Sequence, residues 1–493
     1  MQESRAGEQI PATRKGASTL LIDGEWRSSL SGDSFPSLNP ATGEQVGHVS
    51  AADARDVDAA VHAARVAFEE RRWLCLPYPK RAKIMFDIAD RIEAAIDELA
   101  VNEVCENGMP IRVARLTIAN GAQAFRYFGG WIGKIHGQTG EIAAGDAFHA
   151  YTLKEPMGVA ALIVPWNGPF MLACHKLAPA LAAGCTMVLK PAEDTSLNTL
   201  NLARIALEAG VPVGVVNVVT GLGPVVGQAL AEHHDVDKVS FTGSTATGRK
   251  LIQASAGNLK RLSLELGGKS PVIVLDDADL EVAIPGIVWG VMTNSGQACI
   301  SGSRLYAQRR IYDRLIQAVS DFASKIVMGN GLDEATQMGP VISQKQCDRI
   351  MDYIESGVAE GAEVTTGGKR RGDAGFFIEP TVLSRPPANA KIVREEIFGP
   401  VLSSMPFDDL DWAIKEANNS RYGLAGSVYT TSLTKAHTIA RAVRAGTFWI
   451  NTHRPSDFSM PFGGYKESGW GREGGVQGLD AYMETKSVIA RLY

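Results

Sequence analysis

Cysteine is scarce in this chain of 493 residues: there are six, and no two of them stand as a CxxC pair. That spacing gives no sign of a disulfide framework or a thiolate metal clamp, so the expected setting is a reducing compartment, the cytoplasm. A basic excess is also missing. Lys and Arg number 49 against 54 Asp and Glu, a formal net charge of -5, which argues against a nucleic-acid binder or a polybasic membrane binder. No uninterrupted apolar run approaches the ~18 residues that a membrane helix needs. The stretch Val159 to Val164 is closed by Pro165 at strand length. Low-complexity linkers and repeats of about 20–50 residues are absent as well. Residues 1–17 are polar, with no apolar core after their charges, and read as a flexible arm rather than a secretory signal. With 45% hydrophobic and 21% charged residues, disorder and coiled coil are both excluded.

What remains is a globular chain long enough for two or three domains at roughly 150 residues each. After Pro79 an apolar stripe of Ile84, Ile88, Ile92, Ile96 and Leu99 predicts one helix that packs on a core. From Gly158 onward, short apolar runs alternate with helical segments. Val159–Val164, Thr186–Leu189, Val215–Val219, Val239–Phe241 and Leu262–Leu266 read as strands. Leu172–Ala183 reads as a helix stopped by Gly184, and a second helix, capped by Ser196, follows to Ala209. Strands that are apolar throughout imply a sheet covered on both faces, hence a doubly wound α/β domain with ligands at the carboxyl ends of its strands. A second α/β stretch starts at Pro271, with its boundary at Gly267 and Gly268.

Two glycine turns precede helices. Gly221 to Gly227 misses the dinucleotide spacing by one residue. Gly243 to Lys250 resembles a Walker loop but has Arg249 in place of the lysine. Their common content is a glycine turn at a helix start, where free N–H groups can receive phosphate. Four further segments carry reactive residue types: Pro165-Trp166-Asn167, Leu264-Glu265-Leu266-Gly267-Gly268-Lys269, Gly296-Gln297-Ala298-Cys299, and Glu395-Glu396-Ile397-Phe398-Gly399-Pro400. Alone, each has an ordinary structural explanation. No metal site is expected, because His233 and His234, the only adjacent histidines, have no cysteine nearby.

In order and spacing, the combination resembles the NAD(P)-dependent aldehyde dehydrogenase family, in its non-acylating, hydrolytic branch, from about Leu20 to Val488. The matching motifs are LELGGKSP at 264–271, GQAC at 296–299, PWN at 165–167, KPAE at 190–193, EEIFGP at 395–400 and PFGGYKESG at 461–469. The resemblance implies Cys299 as the nucleophile that adds to the aldehyde carbon, giving a thiohemiacetal whose oxyanion expels hydride to a nicotinamide. It implies the Asn167 amide and the Cys299 N–H as oxyanion donors. Glu265 becomes the base for thioester hydrolysis, its pKa raised by apolar surroundings. Relatives that pass the acyl group to coenzyme A lack this glutamate, and catalytically inactive relatives lack the cysteine. Glu396 is implied at the nicotinamide ribose and Glu473 in proton movement.

For the cofactor, the resemblance implies Lys190 and Glu193 at the adenosine ribose, where the carboxylate favours NAD and leaves NADP the weaker alternative. Trp166, Gly223, Phe241, Gly243, Ser244, Leu266, Gly267 and Phe398 complete the implied cofactor set. The implied substrate pocket comprises Phe170, Met171, His175, Ala298, Ile300, Arg454, Ser456 and Phe462. Its histidine, arginine and serine suit a small aldehyde with a polar tail. The implied organisation is a NAD-binding domain over 18–137 and 157–266 and a catalytic domain over 267–468. A β arm over 138–156 and 480–493 would join a homodimer or homotetramer.

Overall fold

The computed structural model describes residues 19–493, so the arm expected at 1–17 lies outside the described residues. Among the described residues the chain builds two parallel-centred sheets and three small antiparallel ones, of which the largest has three strands. In the first, Val216–Val218, Thr186–Lys190, Val159–Ile163, Lys238–Thr242 and Arg261–Glu265 lie side by side in parallel. Every residue of Val159–Ile163 and Thr186–Lys190 is buried, as strands covered on both faces require. Antiparallel strands close both edges: Leu20–Ile22 and Glu25–Arg27 on one side, Gly469–Trp470 on the other. The chain winds one way from Val159–Ile163 and then the other way through Lys238–Thr242. The crevice between these two strands is therefore the topological switch point.

The second sheet runs in the order Glu363–Thr366, Thr381–Ser384, Val401–Phe407, Arg304–Gln308, Pro271–Val274, Ala425–Tyr429, Thr447–Ile450, and only its first strand is antiparallel. The third pairs Met483–Arg491 with Phe148–Pro156 along their full lengths, with Thr139–Gly140 at the far edge. Among the described residues, no helix is long and apolar enough to cross a membrane, and no group of three or more His, Cys, Asp or Glu is arranged to hold a metal.

Two local expectations are corrected. The stripe from Ile84 to Leu99 is not one helix: Tyr78–Ala94 ends at Ala95, whose N–H caps it, and Ile96–Asn107 starts as a separate helix. Apolar spacing stayed nearly in phase across the break because both helices pack on the same core. The helix Leu197–Glu208 is not capped by Ser196, whose hydroxyl donates to the Ala192 carbonyl at 2.9 Å. Its first N–H groups instead reach a carboxylate from another helix. Leu197 N donates to Glu106 Oε1 at 2.9 Å and Oε2 at 3.0 Å, and Asn198 N to Oε2 at 3.2 Å. A buried carboxyl group at the start of the helix, its pKa pushed up to about 8 by burial, accepts from donors that would otherwise be orphaned.

One helical turn earlier, Glu103 accepts from Phe170 N and Asn198 Nδ2, and the next residue, Asn107, donates to the Trp166 carbonyl at 2.8 Å. This helix end thus fixes the chain on both sides of Asn167. Glu106→Ala is expected to lower stability by about 1–3 kcal/mol, since it strands buried N–H donors, and Ser196→Ala by clearly less. Urea midpoints of the two variants would check the ordering.

Candidate active site

The carboxyl ends of the first sheet and the loops of the second enclose one cavity of about 300 Å³. Strand Val159–Ile163 delivers Pro165, Trp166 and Asn167 to it; Lys238–Thr242 delivers Gly243 and Ser244; Arg261–Glu265 delivers Glu265. From the second sheet come Ala298, Cys299, Glu396 and Phe398.

Cys299 follows a strained turn. Asn294 and Ser295 hold left-handed φ values of 53° and 55°, and Gly296 one of 74°. A Cβ on Gly296 would stand 1.9 Å from the Gly399 carbonyl oxygen, so the motif glycine is compelled by both dihedral and space. The turn is held by Ser295 Oγ donating to the Gly339 carbonyl, and by Ile342 N donating to Gln297 Oε1 at 2.8 Å. It is joined reciprocally to the first sheet: Asn167 Nδ2 donates to the Gln297 carbonyl at 2.9 Å, and Asn294 Nδ2 donates to the Asn167 carbonyl at 2.8 Å. A carboxamide has two N–H donors, so one remains on Asn167 for another acceptor. The Cys299 backbone N–H also has no acceptor among the described residues. Gly268 presses on the same segment, where a Cβ would fall 2.2 Å from the Cys299 carbonyl oxygen.

The carboxyl groups have separate fates. Glu395 accepts from the Tyr353 hydroxyl at 2.7 Å, and Glu396 from Gly268 N at 2.8 Å. Glu473 is paired with the buried Lys176, which also donates to Ser240 Oγ at 3.0 Å. Glu265 is different: it is 3% exposed, and both its side-chain oxygens are buried without a partner. Burial first, and then the neighbouring Glu473 carboxylate, push its pKa well above the ordinary range, against the pull of Lys176 and Arg472. Cys299 is raised to about 12, by burial and then by Glu396 and Glu265, while Arg454 and the Ile300 N–H pull the other way.

The residues proposed for a dinucleotide form two groups. Trp166, Gly243, Ser244, Leu266, Gly267, Glu396 and Phe398 line the cavity, with Trp166 and Phe398 edge-on at 5.3 Å. The hydroxyl of Ser244 accepts from Thr247 N at 3.2 Å and starts the helix Thr245–Ser255. Lys190, Glu193 and Gly223 lie outside the cavity, beyond the neighbouring strands of the same sheet. Lys190 Nζ is 3.2 Å from Glu193 Oε2, and Gly223 faces that same oxygen. Phe241 does not reach the cavity. It is 6% exposed and belongs to the core under Gly243, because it sits within a strand buried on both faces.

In the substrate set, Met171, His175, Ala298, Ile300, Arg454, Ser456 and Phe462 line the cavity. Phe170 does not. As the second residue of the helix Pro169–Ala183 it turns into the core against Gly121, fully buried, while Met171 faces the cavity. Asn294, Lys176 and Glu106 were not singled out by sequence, and Gln297 only as part of the motif around Cys299. Lys176 had a signal, a lysine inside an otherwise apolar helix, whereas Gln297 and Asn294 act through hydrogen bonds that no pattern reveals.

The family model described as aldehyde dehydrogenase family matches residues 26–488. The aldehyde dehydrogenase of Davidiella tassiana is 46% identical over 474 residues, 96% of this chain and 95% of that protein. Mouse aldehyde dehydrogenase 1A1 is 45% identical over 477 residues, with the same coverage of 96% and 95%. The NAD+ complex of an aldehyde dehydrogenase from Bacillus cereus superimposes with a TM-score of 0.95 at 44% identity, covering 98% of each chain.

A thiol raised to about 12 is mostly protonated at neutral pH. Alkylation of Cys299 by iodoacetamide in the cofactor-free protein should therefore quicken about tenfold per pH unit through the range from about 7 to about 9. Peptide mass spectrometry separates it from the exposed Cys75. A rate already flat above neutrality would contradict the expectation.

Proposed function

The chain belongs to the aldehyde dehydrogenase family and oxidises aldehydes with NAD+, and on that premise we propose that the reaction runs through a thioester on Cys299 that Glu265 hydrolyses to the free acid. The observation that carries this is the meeting in one cavity of a cysteine, an amide with a free donor, and a buried carboxyl group with no partner of its own.

The cofactor fits the residues present. A helix start at Ser244, a glycine-lined wall at Gly243 and Gly267, and an open Glu193 carboxylate beside Lys190 offer what phosphates and a ribose require. When bound, NAD+ supplies a hydride acceptor. Lys190 and Glu193 hold the adenosine ribose, Ser244 the pyrophosphate, and Glu396 and Phe398 the nicotinamide end. The Glu193 charge repels a 2′-phosphate, which leaves NADP the weaker partner.

The chain's own residues divide the chemistry. Cys299 Sγ, as thiolate, forms a bond to the aldehyde carbon. The second Asn167 N–H and the Cys299 N–H then hold the oxygen as it becomes negative, and each such donor contributes about 2.7–4 kcal/mol. Once the acyl group is on sulfur, Glu265 takes a proton from water, and its raised pKa makes it a stronger base when ionised. Lys176 keeps Glu473 neutralised nearby, so that a proton has an onward route. Cavity residues His175, Ser456 and Arg454 suit a polar-tailed aldehyde. The strand Met483–Arg491 leaves one edge of its sheet unpaired. We assign that edge to a second copy in a dimer or tetramer.

Cys299→Ala should abolish NADH formation. Glu265→Gln should keep a single burst of NADH per active site while steady turnover drops about 10²–10⁴-fold. Rapid-mixing absorbance separates the two phases, and undiminished steady turnover in Glu265→Gln would refute the assigned base. Glu193→Gln should shift kcat/KM towards NADP relative to NAD by roughly fivefold or more, the scale of one unit-charge repulsion at about 4 Å. Steady-state kinetics with both dinucleotides would measure it.

A further inference from the structure

Of the two arginines lining the cavity, Arg349 donates to the Glu396 carbonyl at 2.8 Å, whereas Arg454 has no hydrogen-bond or ion-pair partner among the described residues. Its Nη1 is buried and makes no hydrogen bond, and no ion pair forms with it among the described residues. The cavity it shares is lined in good part by apolar side chains: Met171, Leu172, Ile300, Phe458, Met460 and Phe462. A half-buried cation with one nitrogen buried and unbonded is costly and is kept only where something repays it. The nearby acids do not. Glu473 is taken by Lys176, Glu396 by Gly268 N and the more exposed Asp457 by Ser459, while Glu265 is held towards its neutral form.

The position is fixed. Arg454 has a left-handed φ of 83°, a strained backbone for a side-chain-bearing residue. It follows His453, whose Nε2 lies 2.9 Å from the Ile300 carbonyl and whose Nδ1 lies 2.9 Å from Ser427 Oγ. A carbonyl only accepts, so Nε2 carries the proton and the Ser427 hydroxyl donates to Nδ1. Trp449 Nε1 donates to the Pro455 carbonyl at 2.8 Å on the other side. His453 thereby ties this segment to the residue that follows the nucleophile, and Arg454 next to it lines the same cavity as Cys299.

Resting on the aldehyde oxidation proposed above, we infer that Arg454 receives the carboxylate of a short ω-oxo acid, so that the substrate class is an anionic semialdehyde rather than a neutral aldehyde. A planar guanidinium and a carboxylate pair through two parallel hydrogen bonds, a contact strengthened by the apolar wall. The aldehyde carbon is then presented to Cys299 from the fixed end of the chain.

The test compares kcat/KM for succinate semialdehyde, glutarate semialdehyde, the methyl ester of each, and hexanal, with NAD+ and the full-length wild-type protein. At least one acid should exceed its ester about tenfold to a hundredfold, the scale of a charge-assisted hydrogen bond. In Arg454→Met that ratio should collapse towards one, and Arg454→Lys should restore part of it, with NAD+ binding by protein fluorescence confirming folded variants. Esters or hexanal used as well as both acids by the wild type would overturn the inference, as would an unchanged ratio in a folded Arg454→Met. Should the variant not fold, the wild-type acid-to-ester ratio decides alone. No NADH from any aldehyde would instead refute the reading on which the inference rests.

Discussion

The site depends on a reciprocal pair of amide hydrogen bonds between two sheets. Asn167 closes a strand of one sheet, and Asn294 and Gln297 belong to the turn that carries Cys299 on the other. Each asparagine gives its Nδ2 hydrogen to the opposite backbone, so the reacting sulfur and its oxyanion donor cannot drift apart without breaking both bonds. A misplacement of about 1 Å between such groups can cost a hundredfold in rate. This constraint explains the tolerance of strain nearby: two consecutive left-handed residues and a glycine packed against the Gly399 carbonyl are retained because the cross-connection over-determines them.

Behind Asn167, the same logic extends to a second layer. The end of the helix Ile96–Asn107 places Glu103, Glu106 and Asn107 where they meet the start of one helix, the start of another, and the Trp166 carbonyl. Buried carboxyls are expensive, but here Glu106 satisfies two backbone N–H groups and Glu103 one backbone N–H and one side-chain amide. The cost is spent on orientation of the segment from Pro165 to Phe170, which these bonds hold from behind while the Asn167 pair holds it from the front.

Much of this was legible in the sequence, and the boundary of legibility is physical. Strands buried on both faces show as unbroken apolar runs, so the parallel centre of the first sheet and the strand-end positions of Asn167 and Glu265 could be read directly. Antiparallel edges such as Leu20–Ile22 and Gly469–Trp470 are too short to leave a pattern. The break at Ala95 was hidden because two helices share one core, and the Ser196 cap failed because a distant glutamate fills that role better. Phe170 and Phe241 were misplaced for one reason: proximity in sequence to a site does not say which way a side chain turns. For Phe170 one helical step decides, and for Phe241 the strand's alternation does. Hydrogen bonds such as those of Gln297 have no sequence signature, since they follow from the fold.

The burial that shapes the cavity also opposes thiolate formation, because it favours the protonated form of Cys299. The two effects are compatible. A thiol with a high pKa is inert while the site rests, which protects the sulfur from oxidation. Its thiolate, once formed, is a stronger nucleophile for the same reason, since nucleophilicity grows with basicity. The same holds for Glu265, whose raised pKa favours the neutral form and makes it a better base when ionised. Arg454 and the Ile300 N–H, which favour the thiolate, work against the carboxylates that disfavour it. The resting balance is therefore set by a handful of charges in a dry space, where each counts for more than it would in water. A further anion seated on Arg454 neutralises one of the groups that favour the thiolate, so substrate affinity and sulfur reactivity draw on the same cation and cannot be raised independently.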